Sequence, residues 1–226
     1  MRLPFSAEQF FGLFVRYNEA VWPLQLLLVT AAIIVVIVAV SAPRRSRIVT
    51  GSLAALWAYA ALAYHLAFFT TLTPAAHLFA ALFLVEAALL GWHGLHTRRL
   101  HLAVPPDATA RIVGIVLILY ALVGYPALAH VAGQRYPAMP TFGVPCPTTI
   151  FTLGVLMWCL RPVPWSVLVV PVGWSVIATV AAVAFGVVED FALPVAAALS
   201  LAVLTRPARR GSHGTHGGRR PLQLGF

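Results

Sequence analysis

Twelve of the fifteen arginines in the chain fall into four clusters that long apolar runs separate, and no other feature restricts the fold as strongly. The clusters are Arg44/Arg45/Arg47, Arg98/Arg99/Arg111, Arg161 and Arg206/Arg209/Arg210/Arg219/Arg220. Between successive clusters the chain has room to cross a bilayer and return, so all four belong on one side. Basic residues in short loops mark the cytoplasmic side. Only Arg2, Arg16 and Arg135 fall elsewhere. The expected fold is all-α, a multi-pass bundle of seven transmembrane helices with its N-terminus outside and its C-terminus in the cytoplasm.

Composition agrees with that class. The 226 residues are 61% hydrophobic and 9% charged, too few charges to cover a soluble domain of this size. A net charge of +9 would suggest nucleic acid in a soluble protein, but here the excess sits in short loops and a tail. It reports orientation and contact with anionic lipid headgroups, and no nucleic-acid partner is expected. Glu8, Arg16 and Glu19 interrupt the stretch where a cleavable signal would need an unbroken apolar core. The first helix is therefore expected to remain. Cys146 and Cys159 are placed at opposite ends of one helix, roughly 20 Å apart, too far for a disulfide.

Three regions are expected. Residues 1–19 form an interfacial amphipathic helix on the outer face, with Phe5, Phe10, Phe11, Leu13 and Phe14 set among Glu8, Gln9, Arg16 and Asn18, and Ser6 as N-cap. Residues 20–205 carry the seven spans, at about 20–40, 48–69, 75–94, 112–132, 147–160, 165–186 and 189–205. Residues 206–226 form a disordered basic cytoplasmic tail, rich in Gly and Arg. A polar cytoplasmic loop is expected over 95–110, a kink at Pro126 and a bend near Pro171. Segment 136–147 (YPAMPTFGVPCP) is the least ordinary part. Its four prolines forbid a continuous helix, and its apolar side chains predict that it folds back on the outer ends of the first, fourth and seventh spans. The fifth span is then short, and lies within protein. There is no internal repeat, so an inverted-repeat transporter gains no support.

Three stretches, LPFSAEQFFGLFVRYNEAVWPLQ, YHLAFFTTLTPAAHLFAALF and YPAMPTFGVPCPTTIFTLG, give the chain a resemblance to a bacterial membrane-protein family known only as domain of unknown function 6064. The resemblance implies a multi-pass protein of the bacterial cytoplasmic membrane, sometimes loosely labelled a permease. It supplies no catalytic or binding residues.

Ionisable residues inside a span are costly and become functional candidates by default. Glu86 is the clearest: on a 3.6-residue period Phe79, Phe83, Glu86, Leu90 and His93 share one stripe, with His77 on the opposite face. It serves either as a proton or cation site, or as a carboxyl held by a hydrogen bond from a neighbouring helix; in the second case Gln is tolerated and Leu destabilises. A second set is placed near the outer surface: Glu19, His65, His77, His130 and Glu189/Asp190. His65 shares a face with Ala54, Ala58 and Ala61, and small residues favour close helix contact, so it is expected to point inward. His65, His77 and His130 are the candidate ligands for a metal or haem, although no pair has i,i+4 spacing. Cys146, next to Pro147 at the start of the fifth span, is either a reactive thiol near the positive end of a helix or an ordinary helix-start residue. His93, His96, His101, His213 and His216 read as surface histidines.

Several classes are excluded. There is no lysine for a retinal Schiff base, no HExxH, no intramembrane GxSG serine and no Gly-rich phosphate loop. No catalytic motif supports an enzyme. The leading functional reading is a permease-like or small-solute or cation-binding bundle, with Glu86 inside and His65, His130, Cys146 and Glu189 towards the mouth. The alternatives are an intramembrane redox protein or enzyme using metal or haem, and an accessory or assembly subunit without its own chemistry. The sequence sets no oligomeric state.

Overall fold

A computed structural model describes residues 4–105, 107–160 and 162–205; the tail 206–226 and Arg161 lie outside the described residues. Among these residues the chain is helical, with no β-strand and two isolated bridges.

Helix α1 (Ala7–Val21) begins at a capping box: the Ser6 hydroxyl accepts from Gln9 N at 3.2 Å, and Gln9 Oε1 accepts from Ser6 N at 2.8 Å. Phe10, Leu13, Phe14, Tyr17 and Asn18 make one face of this helix, and all five are buried. The apolar side of α1 is thus spent on protein. Pro23 separates it from α2 (Leu24–Ser41).

Next come α3 (Ser46–Tyr59), α4 (Ala75–Gly91), α5 (Ala108–Leu119), α6 (Tyr125–Val131), α7 (Pro145–Leu156), α8 (Ser166–Phe185) and α9 (Ala192–Leu204). Helix α3 continues as a π-helix over Ala60–Leu66, α4 over Trp92–His96, and Tyr120–Gly124 joins α5 to α6 in the same wide winding. The last of these directly precedes Pro126, where the kink was expected: the wider turn makes room for a proline ring in a helix that continues.

Five helical segments are long and apolar enough to cross a membrane: Leu24–Ser41, Pro43–Thr71, Ala75–His96, Ala108–Val131 and Ser166–Phe185. Their outer faces suit a bilayer. Helix α2 exposes Leu26, Leu27, Ile33, Ile34, Ile37 and Val40, and α8 exposes Val169, Val176, Val180 and Val183, surfaces that would drive aggregation in water. Helices α7 and α9, with 12 and 13 residues, fall below spanning length.

The short α7 is the axis of the bundle. Every residue from Pro145 to Leu156 is buried except Cys146, which is half-buried. Two of its three threonine hydroxyls are paired: Thr152 Oγ1 accepts from Trp57 Nε1 at 2.9 Å and donates to Thr148 O at 2.8 Å, and Thr149 Oγ1 donates to Pro145 O at 2.8 Å, while Thr148 Oγ1 has no partner among the described residues. Helix α5 approaches it closely through two glycines. A Cβ on Gly154 would stand 3.0 Å from Ile118 N, and one on Gly114 would stand 2.5 Å from Trp158 Nε1.

Because α7 rises only roughly 18 Å, other segments fill the space beyond its two ends. At the end nearer the arginines, residues 100–105 fold beneath it: Ala103 N donates to Trp158 O at 2.8 Å, Leu160 N to His101 O at 2.7 Å, and Leu102 N to Ser46 Oγ at 2.9 Å. Leu100 and Leu102 are buried. This corrects the expected polar loop over 95–110, whose leucines carry the chain inward while His96, Arg98, Arg99 and His101 stay exposed.

The proline-rich segment closes the other end. Asn18, fully buried, donates through Nδ2 to Pro137 O and Met139 O, both at 2.7 Å, and accepts through Oδ1 from Thr141 Oγ1 at 2.8 Å and Gln25 Nε2 at 2.9 Å. Gly143, at φ 102°, lies so near Leu28 and Tyr59 that a Cβ would be 2.5 Å and 3.3 Å from them. The segment is ordered as expected, but its main anchors are α1, α2 and α3.

Candidate functional site

Between α1 and the ends of α3, α4 and α8 lies a cavity of about 330 Å³. The amphipathic stripe of α1 roofs it with Phe10 and Phe14, and Phe5 closes one edge. Tyr64 comes from the π-helical end of α3, Phe69 from the following turn, Phe79 from α4 and Trp174 from α8. The rings hold one another edge-on: Phe79 and Trp174 have centroids 5.4 Å apart at 76°, and Phe10 and Phe14 are 5.1 Å apart at 77°. Ile177, Val180 and Ala181 line the side nearest the exposed face of α8, so the chamber opens sideways along that helix.

The polar end is built from three elements. Tyr125 opens α6, Cys146 is the second residue of α7, and Asp190 sits in the 3-10 turn Val188–Phe191 before α9. The Tyr125 hydroxyl donates to Asp190 Oδ1, and the Cys146 thiol hydrogen-bonds the same carboxyl. Among the described residues, Tyr64, Thr73 and the unpartnered Nε1 of Trp174 add to the polar lining, and no arginine or histidine belongs to it. Asp190 is 3% exposed, so a carboxyl with neutral protein donors faces an otherwise aromatic space.

The structure separates the residues that the sequence grouped. Cys146 reaches the chamber. Glu189 is fully buried but faces away from it, with Oε1 accepting from Gln134 Nε2 at 3.0 Å and its backbone carbonyl accepting from the Tyr120 hydroxyl at 2.7 Å. Its neighbour Asp190 takes the position at the chamber. His130, His77 and Glu19 are exposed, and His77 Nδ1 meets Pro74 O at 3.1 Å. His65 is fully buried as expected, with Phe83 at 4.7 Å and Trp174 at 5.2 Å between ring centroids, and neither of its nitrogens has a hydrogen-bond partner. The three histidines therefore do not converge. Among the described residues no three His, Cys, Asp or Glu side chains lie together at metal-binding distance, and both cysteines are free.

On α4 the predicted stripe is real: Phe83, Glu86, Leu90 and His93 are buried and His77 is not. His93 Nε2 pairs with Ser166 Oγ at 2.9 Å, while Phe83 meets Trp174 at 5.0 Å. Glu86 lies between these two contacts along α4 and does not line the chamber. Both its carboxyl oxygens are without a hydrogen-bond partner. Sequence reasoning missed Tyr125, Trp174 and the ring of phenylalanines. The concentration of Phe in residues 5–14 was the available signal, and it was spent on a lipid interface rather than a roof.

The model of a family of unknown function (DUF6064) matches residues 7–214, which include every chamber residue named above except Phe5. No curated protein and no solved structure matches the chain.

Proposed function

We propose a role for this chain, which belongs to the DUF6064 family, from its geometry: it is a multi-pass membrane protein that binds a small, largely apolar molecule in the chamber beneath α1. The cavity of about 330 Å³, walled by aromatic rings and ended by the Asp190–Tyr125–Cys146 cluster, carries this reading. Sites for small molecules are concave and mostly apolar, with a few placed polar groups, and this one has that make-up. Its opening along α8 suits entry from the hydrocarbon of a bilayer. The permease-like path through Glu86, His65, His130 and Glu189 gains less support, because His130 is exposed and Glu189 turns to Gln134.

The test uses Trp174, which lines the chamber. In nanodiscs, 1-bromooctane should quench tryptophan fluorescence with a saturable component above the linear bilayer background. That component should vanish in Ala181→Phe, which fills a half-buried position of the wall, and in Trp174→Phe. Linear quenching of the same slope in all three proteins would refute a binding chamber.

We further propose that α7 and α9 complete seven passes with α1 outside and the arginine clusters in the cytoplasm, the cytoplasmic membrane of a bacterium being the setting. The native thiols are too buried to report this, so cysteines belong at exposed positions in opposite loops. An impermeant maleimide added to intact cells should label Ala132→Cys and spare His101→Cys until the membrane is opened. The reverse pattern would invert the orientation.

A further inference from the structure

Among the described residues the chamber's lining holds a buried carboxyl and no basic side chain. Asp190 accepts from Tyr125 and Cys146, both uncharged donors, so its hydrogen bonding is supplied while its charge is not answered from within the lining. His65 stands behind the wall, with Trp174 and Phe79 of the lining 5.2 and 5.9 Å from it. Opposite the carboxyl stand aromatic rings, whose faces attract positive charge. An anion would meet Asp190 without a compensating cation, and a neutral hydrocarbon would gain nothing from the carboxyl. A cation would be held by both features of the wall.

Resting on the chamber reading above, we propose that its ligand is a lipophilic organic cation, an amine or quaternary ammonium whose charge lies by Asp190 among Trp174, Tyr64 and Tyr125 and whose apolar groups fill the space under Phe10 and Phe14. Recognition is by charge and aromatic surface together, with Cys146 and Tyr125 taking two of the carboxylate's acceptor positions and holding it in place. A quaternary ammonium, which has no N–H to offer, fits that arrangement as well as a protonated amine does.

The experiment is competition against 1-bromooctane quenching in nanodiscs holding the full chain. The competitors are benzyltrimethylammonium and neopentylbenzene, its uncharged carbon isostere. The cation should displace the quencher at a concentration at least tenfold lower than the isostere. Asp190→Asn should weaken the cation at least tenfold and leave neopentylbenzene unchanged. If neopentylbenzene competes as well as the cation, or if Asp190→Asn leaves the cation unaffected, the cation proposal falls while the apolar chamber stands. If neither compound displaces a saturable quencher, the cation proposal falls in the same way. Should 1-bromooctane quenching not saturate at all, the chamber reading falls with it. Should Asp190→Asn fail to fold, the isostere pair on the wild-type protein decides alone.

Discussion

Asn18→Ala should destabilise the protein by about 3–5 kcal/mol, the size expected when a buried hydrogen-bond network loses its hub. The Asn18 amide serves four partners on two separate segments, the proline-rich loop and α2: Pro137 O, Met139 O, Thr141 Oγ1 and Gln25 Nε2, all within 2.9 Å. Alanine would take the donor from two half-buried backbone carbonyls and the acceptor from Thr141, and would leave Gln25 Nε2 only its longer bond to Asn18 O at 3.2 Å. Asn18→Asp should be nearly as damaging, because it sets an acceptor where two carbonyls require a donor. Glu19→Ala, on the same turn of α1 but exposed, should change stability by less than about 0.5 kcal/mol. Thermal unfolding in detergent, read through the reactivity of the two free thiols, Cys146 and Cys159, with a fluorogenic maleimide, compares the three variants. A midpoint for Asn18→Ala equal to that of Glu19→Ala would show that the proline-rich segment is held by something other than this amide.

The consequence reaches the chamber, because segment 136–144 runs into Pro145 and Cys146. Asn18 fixes where α7 begins, and α7 fixes the thiol beside Asp190. Loosening the loop should therefore weaken ligand binding even though Asn18 does not line the cavity.

The helices were largely legible because each apolar run is bounded by breakers or charge. The fourth span was placed at 112–132 and occurs as Ala108–Val131; the sixth was placed at 165–186 and occurs as Ser166–Phe185. The buried stripe of α4 followed from helical period alone, including the inward Glu86 and the outward His77. Periodicity says which side of a helix turns inward, and it is silent on what that side meets. For that reason histidines of similar depth did not become neighbours: His130 and His77 project outward while His65 is enclosed by rings. The chamber was illegible for the same reason. Phe5, Phe69 and Trp174 come from three parts of the chain, and only the packing of α1 over α4 and α8 brings them together. The exchange of Glu189 for Asp190 reflects a 3-10 turn, in which adjacent carboxylates point in different directions.

Glu86→Leu should stabilise the protein by about 1–3 kcal/mol, the usual penalty of a polar group buried without compensation. From sequence, a structural Glu86 would have a partner on a neighbouring helix, and leucine would leave that partner unsatisfied. The structure reverses the sign: among the described residues nothing hydrogen-bonds either carboxyl oxygen, although the residue is fully buried between Phe83 and Leu90. Leucine is of similar reach, matches those neighbours and orphans no protein group. Glu86→Gln should give no such gain, because the amide brings two donors and an acceptor into the same unpartnered place. The expected order of unfolding midpoints in detergent is Leu above wild type, with Gln at or below it. A leucine variant destabilised by more than about 1 kcal/mol would reveal a partner that the carboxyl serves. If leucine does stabilise, the wild-type residue is kept at a cost to the fold, and such costs gather at positions that function requires.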